Sequence, residues 1–203
     1  MEEGAGYSRM ADIQSIMLNL RAGDVMRREF RVVDATLSVQ QFIQHYLLDS
    51  TGESPPSPTQ DSCFFAASQG RYRGYIDVNE LPKVERSQWE MTTLTDVAIP
   101  LDQVPSIRES SSLVEAINQL EDQQHSELTV LSPADAVAGV IDRSDIVQRI
   151  LQDLSLDLPP ERLDAIAQAQ AYPPELPLIQ LARTLQDDVQ RSSLPSPGHD
   201  PKS

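Results

Sequence analysis

The 203-residue chain has a single cysteine, which excludes an internal disulfide and a cysteine-rich zinc site. Cys63 sits in the apolar run CFFAA, where a buried core thiol is expected. Aromatic residues make up only 5% of the chain, so a core must come mostly from Leu, Ile, Val and Ala. Positive charge is also scarce: 16 Lys and Arg against 31 Asp and Glu leave a net charge of -15. That balance argues against a nucleic-acid surface, which needs clustered cations, and disfavours an anionic membrane surface. No apolar run approaches the ~20 residues that span a bilayer, and nothing resembles a signal peptide. A cytoplasmic protein with no direct membrane insertion is the expectation. His45, His125 and His199 are scattered, and His45 lies off the apolar stripe of its helix, facing solvent. No nucleophile, metal cluster or Gly-rich phosphate loop accompanies the acids, so no catalytic site and no required cofactor are expected.

What the chain does have is a repeat. The stretch AVAGVIDRSDIVQRIL, 136–151, reads as a strand, a turn and a helix opening at Asp142 or Arg143. Gly139 in its strand admits a second backbone at close range. An earlier stretch, Gly74-Tyr75-Ile76-Asp77-Val78-Asn79-Glu80-Leu81, matches Gly139-Val140-Ile141-Asp142-Arg143-Ser144-Asp145-Ile146. Each is Gly, two apolar residues, Asp, two spacers, an acid and an aliphatic. Asp96-Val97 answers Asp24-Val25, 72 positions on. Ser38 with Gln41, and Ser112 with Glu115, have capping-box spacing. Behind them Val39, Phe42, Ile43, Tyr46 and Leu47, then Leu113, Ala116, Ile117 and Leu120, form apolar helix faces. Ser38 and Ser112 are 74 apart but Gly74 and Gly139 only 65, so the first copy is nine residues longer. The Pro-rich stretch 49–61, a flexible loop by composition, accounts for the difference.

The rest of the chain follows the same logic. Residues 1–8 read as a loose terminus. A helix from Met10 carries Ile13, Ile16, Met17 and Leu20 on one face and ends near Gly23. Strands are expected at 30–33, 63–68, 73–77, 105–107, 127–131 and 137–141, and a short helix near Val78 limited by Pro82. Trp89, the sole tryptophan, sits in a polar link and is read as packing between two halves. Pro159-Pro160-Glu161 opens a further helix with Leu163, Ile166 and Ala167 on its apolar face, ended by Tyr172-Pro173-Pro174. A last helix covers 178–189, and the Pro- and Ser-rich tail is read as disordered.

Two tandem copies with these endings resemble a CBS-domain pair, also called a Bateman module. The resemblance rests on Asp24-Val25-Met26, the helices at Ser38 and Ser112, and the two Gly-apolar-apolar-Asp endings. It implies an α/β fold: a tandem CBS-domain pair of two pseudo-symmetric small sheets with packed helices, plus a C-terminal helical extension. The parts are then an N-terminal helix and linker, 1–21; CBS domain 1, 22–86; CBS domain 2, 87–152; the helical extension, 153–190; and the tail, 191–203. The phrases LRAGDVMRREFRVVDATL, RYRGYIDV, ERSQWE and LTVLSPADAVAGVIDR further resemble the cytosolic C-terminal region of cyanobacterial site-two-type intramembrane zinc metalloproteases. That family needs membrane helices and a His-Glu-x-x-His motif, and this sequence has neither, so the likeness implies the regulatory tail, with a membrane protease as partner or parent chain.

The CBS resemblance also implies a homodimer and an adenosine-containing ligand held between the copies. In the family motif an acid takes the ribose hydroxyls and a Thr or Ser three residues earlier helps with phosphate. Carried over, the ribose acids are Glu80 and Asp145, while the Thr/Ser position holds Asp77 and Asp142. Those carboxylates disfavour a highly charged phosphate chain and favour AMP, adenosine or S-adenosylmethionine over ATP, with Arg143 or the cluster Arg27, Arg28 and Arg31 available to offset the charge. The other reading of the same residues is helix capping, an Asp N-cap and an acid at the third position suiting the helix dipole. A ligand-free dimerisation or docking module is the alternative function.

Overall fold

The structure is a computed structural model that describes residues 4–48 and 63–193, with side chains from residue 9 onward. Helices α1 (Gly4–Asn19) and α2 (Ala22–Val25) lead into β1 (Phe30–Asp34) and α3 (Val39–Phe42), which widens into a π-helical turn, Ile43–Leu47. Strands β2 (Cys63–Ser68) and β3 (Arg71–Ile76) follow, then 3-10 turns at Leu81–Lys83 and Arg86–Gln88. The order then repeats with α4 (Leu94–Val97), β4 (Ser106–Arg108), α5 (Leu113–Asp122), β5 (Glu127–Leu131), β6 (Val137–Asp142) and α6 (Arg143–Asp153). Helices α7 (Pro160–Ala169) and α8 (Leu178–Ser192) form the extension. Each copy has a three-stranded sheet, β1-β2-β3 and β4-β5-β6, in which the first two strands are parallel. The fold is the expected α/β tandem of two small sheets with packed helices.

In space the chain forms two compact units, each assembled from separated segments. Of the described residues, one, the sheet unit, takes those in 26–108 and 128–140; the other, the helical unit, takes those up to Val25, 109–127 and those from Ile141 on. In the sheet unit β2 is buried on both faces, which is why CFFAA is continuously apolar. Its side chains alternate with the period of two of a strand. Phe64 and Ala66 enter a core with Val33, Val39, Phe42, Ile76 and Leu94, whereas Cys63 and Phe65 enter a second with Val137 and Val140. All four phenylalanines are in this unit; the rings of Phe42 and Phe64 meet edge to face at 5.0 Å, and those of Phe30 and Phe65 at 5.6 Å. Trp89 packs on the first of these cores, which draws on residues before it, Val33 to Leu81, and after it, Leu94. Its indole N–H donates to the Val84 carbonyl at 2.9 Å.

The helical unit buries one apolar stripe per helix. Ile13 and Met17 of α1, Leu113, Ala116, Ile117 and Leu120 of α5, Ile146 and Ile150 of α6, and Leu178 and Ala182 of α8 are all buried. Helix α8 packs on α5, and α7 on α6. Ser38 and Ser112 start their helices as expected: each hydroxyl accepts an N–H, from Gln41 and Glu115, at 3.1 Å.

Three expectations are corrected. The first helix begins at Gly4, so the loose terminus does not extend to residue 8. It ends at Asn19, before Gly23; that glycine lies inside α2, where an added Cβ would sit 3.1 Å from the Glu109 carbonyl oxygen. Its small size serves a close approach, with Gly23 N–H donating to that same oxygen at 2.9 Å. No α-helix opens at Val78: residues 78–80 form a turn and Leu81–Lys83 a single 3-10 turn. Pro82, lacking an N–H and colliding with the preceding turn, stops an α-helix from running there. The Pro-rich stretch 49–61 and most of the tail lie outside the described residues.

Candidate functional site

The second Gly-apolar-apolar-Asp ending lies where β6 gives way to α6. Asp142 keeps the extended conformation of the strand and caps the helix: its carboxylate accepts the Asp145 N–H at 3.0 Å. The Asp145 carboxylate returns the favour to the Asp142 N–H at 2.9 Å, completing a capping box. The Ser144 hydroxyl donates to Asp142 at 2.6 Å. Two carboxylates therefore sit at the helix end whose N–H groups and dipole favour negative charge. Asp145 is buried and Asp142 half-buried.

Arg143, between them, turns inward. It is buried, donating from Nε to Glu121 at 2.7 Å and from Nη1 to the His125 carbonyl at 2.8 Å. Its guanidinium lies 6.0 Å from the centre of the Tyr172 ring. A buried arginine is tolerated because these acceptors and the Glu121 charge replace water. The partners Glu121 and Tyr172 escaped the sequence reading. The inward turn itself had a visible signal: Arg143, Ile146, Val147 and Ile150 share one helical stripe at i, i+3, i+4 and i+7, the apolar face. Tyr172 is held so far from water that burial pushes its phenol up, beyond its ordinary range.

The first ending is built differently. Asp77 is half-buried and its carboxylate accepts the Asn79 N–H at 2.9 Å, capping a turn and not a helix. The Glu80 N–H donates to the Asp77 carbonyl at 3.0 Å, while the exposed Glu80 side chain pairs with Lys83 at 2.7 Å. A pair this solvated contributes little, leaving Glu80 easily redirected. The structure thus gathers Asp142, Arg143 and Asp145 at one helix terminus, and Asp77 and Glu80 at one turn.

The glycine of each ending has a visible purpose. The Arg27 N–H donates to the Val140 carbonyl at 2.8 Å and the Val140 N–H to the Arg27 carbonyl at 3.0 Å. Tyr75 and Ile99 exchange the same two bonds at 2.8 and 2.9 Å. A Cβ on Gly139 would run into the Arg27 carbonyl oxygen, and one on Gly74 into that of Ile99. Arg27 and Ile99 are themselves 72 positions apart, the spacing of the two Asp-Val pairs. The segment after each Asp-Val therefore closes on the last strand of the opposite copy. Arg28 and Arg31 are exposed and Arg27 half-buried.

Among the described residues no group of three or more His, Cys, Asp or Glu is placed to hold a metal ion. No described helix is long and apolar enough to cross a membrane.

Residues 94–152 match the family model of the CBS domain. The candidate zinc metalloprotease Rip3 of Mycobacterium tuberculosis is 23% identical over 137 residues, 68% of this chain and 33% of the relative. The candidate zinc metalloprotease sll0528 of a Synechocystis species is 21% identical over 148 residues, 73% of this chain and 37% of the relative. The chain thus spans about a third of the length of the curated relatives it matches. Among solved structures, the CBS domain of a bacterial CNNM/CorC family Mg2+ transporter in complex with ATP is similar at a TM-score of 0.50. It is 11% identical, with 71% of this chain and 96% of that one covered. A conserved hypothetical protein of Geobacillus kaustophilus reaches a TM-score of 0.51 at 12% identity, covering 66% and 97%.

Proposed function

From a chain that carries a CBS domain at residues 94–152 and shares its fold with CBS-domain structures, we propose a cytoplasmic regulatory module that is not itself an enzyme. It binds an adenosine-containing ligand between its two copies and controls an attached or partner protein, an intramembrane zinc metalloprotease by preference. The observation that carries this reading is the paired ending: both copies present an acid three residues after Asp, behind a glycine that the opposite copy's backbone requires. ATP in a neighbour of the same fold supports the ligand class, and protease relatives support the target. Glu80 and Asp145 take the ribose hydroxyls. Asp77 and Asp142 set the preference among ligands, since a carboxylate 4–5 Å from a phosphate costs up to ~3–4 kcal/mol at an effective dielectric near 20. AMP, adenosine or S-adenosylmethionine is favoured over ATP. The module dimerises, and ligand binding acts by shifting the populations of its shapes, to no greater extent than the difference in affinity for them.

A second reading has one specific observation behind it. Asp142 and Asp145 already accept each other's N–H groups, an ordinary capped helix start that a docking or dimerisation module would have without any ligand. Thermal melting separates the two. A ligand at a hundredfold excess over its Kd stabilises by about 2.7 kcal/mol, a rise of roughly 5–10 °C for a chain of this size. For the target, the chain is fused to a membrane metalloprotease of the resembling type. Substrate cleavage is then compared with the module intact, deleted, and substituted at Glu80 and Asp145. Identical cleavage in all three sinks the regulatory reading.

A further inference from the structure

A cavity of about 690 Å³ opens in the helical unit, walled by α1, the end of α6, α7 and the chain that follows α7. Its volume is that of a small-molecule site, which runs roughly 300–1,000 Å³. Apolar side chains dominate the wall, among them Met10, Ile13, Leu154, Leu156 and Ile166. Met10 and Leu156 remain 38% and 36% exposed, large hydrophobic residues left facing an opening.

The charges in this wall run against the rest of the molecule. The chain carries a net charge of -15, yet the cavity is lined by two arginines, Arg9 and Arg162, and a single acid, Glu175. Both arginines are exposed, so they stand at the solvent side of an apolar space. Neither has an ion pair among the described residues, whereas Arg108, Arg143, Arg149 and Arg183 all do. An apolar interior edged by cations that pair with no acid among the described residues is complementary to a molecule with a hydrocarbon tail and an anionic head.

We propose that this cavity binds a single-chain anionic amphiphile, a fatty carboxylate whose tail lies among the apolar side chains and whose head meets Arg9 and Arg162. None of the acids proposed for the adenosine ligand lines this site, although Tyr172, whose ring lies beside Arg143, does. It gives the helical extension, which a bare CBS pair lacks, a function of its own.

Calorimetry of the full chain with decanoate and with decanol, both as monomers, tests this. One decanoate binds per chain, about tenfold tighter than decanol, as two partly solvated ion pairs allow. In the double variant Arg9→Gln, Arg162→Gln that preference disappears while decanol binding is kept. Ala165→Phe, at an exposed wall position that should not disturb folding, weakens both ligands. Circular dichroism melts check that each variant is folded. Equal affinity for acid and alcohol, or decanoate binding indifferent to Ala165→Phe, overturns the proposal. So does binding to phosphatidylglycerol vesicles without binding of free decanoate. A second copy in the cavity is the answer if the Arg variant instead changes the oligomeric state by light scattering and decanoate does not bind.

Discussion

Removing the Arg143 guanidinium would leave the Glu121 carboxylate, 19% exposed, without its partner and take the donor from the His125 carbonyl. Arg143→Met is therefore expected to cost about 3 kcal/mol, at the lower end for a broken buried pair because Glu121 keeps some water. Denaturant unfolding with an unchanged slope would register it as a lower midpoint. Tyr172 gives the opposite sign: its hydroxyl is buried with no hydrogen-bond partner among the described residues. Tyr172→Phe should be neutral or stabilising by up to ~1 kcal/mol. Asp96 carries a pH effect. The Thr93 N–H and hydroxyl both donate to it at 2.9 Å and hold its carboxyl below the ordinary 3.8. A lowered folded pKa means its stabilisation is complete above the unfolded value and is lost as pH falls through the folded one. The melting difference between Asp96→Asn and the natural chain should thus persist at neutral pH and shrink below about pH 4. At this scale the sequence revealed the capping relation of Asp142 and Asp145, because it is local spacing. It hid Glu121 and Tyr172, because they reach Arg143 from α5 and from the chain after α7, both remote in sequence.

Local elements were the most legible level, wherever periodicity and caps agreed. β2 and β5 fall where their apolar runs placed them, and Pro159-Pro160 opens α7. The failures lie where one residue overrides a pattern. Pro82 replaces the helix expected at Val78 with a single 3-10 turn, so the two copies diverge at the element that bears the acid. Gly23 looked like a stop signal and is a close-contact residue, a distinction only the neighbouring Glu109 backbone makes. Gly74 and Gly139 carry the element-level prediction. Each alanine substitution forces a methyl against a carbonyl oxygen of the bridging segment, and the backbone must yield. We expect a loss of about 1–3 kcal/mol at either site. Hydrogen exchange should show faster opening at the Arg27–Val140 bridge in Gly139→Ala and at the Tyr75–Ile99 bridge in Gly74→Ala.

For the whole molecule, the repeat was visible as a register of Asp-Val pairs, capped helices and glycine endings, and the two similar sheets follow from it. Its assembly in space was not visible. The backbone bridges at Arg27 and Ile99 tie each copy's leading segment to the other copy's last strand, and no local pattern announces such an exchange. The extension was readable as two helices, while their packing on α6 and α5 depends on side chains remote in sequence. The functional claim rests on the paired acids, so ligand titration of the full chain probes it most directly. Calorimetry with AMP and ATP should give AMP the tighter binding, and Asp145→Ala should abolish one site. The cap lost in that variant costs about 1 kcal/mol and leaves the chain folded. No heat with AMP, adenosine, S-adenosylmethionine or ATP, or AMP binding unchanged in both Asp145→Ala and Glu80→Ala, would contradict the account and leave those carboxylates as caps alone.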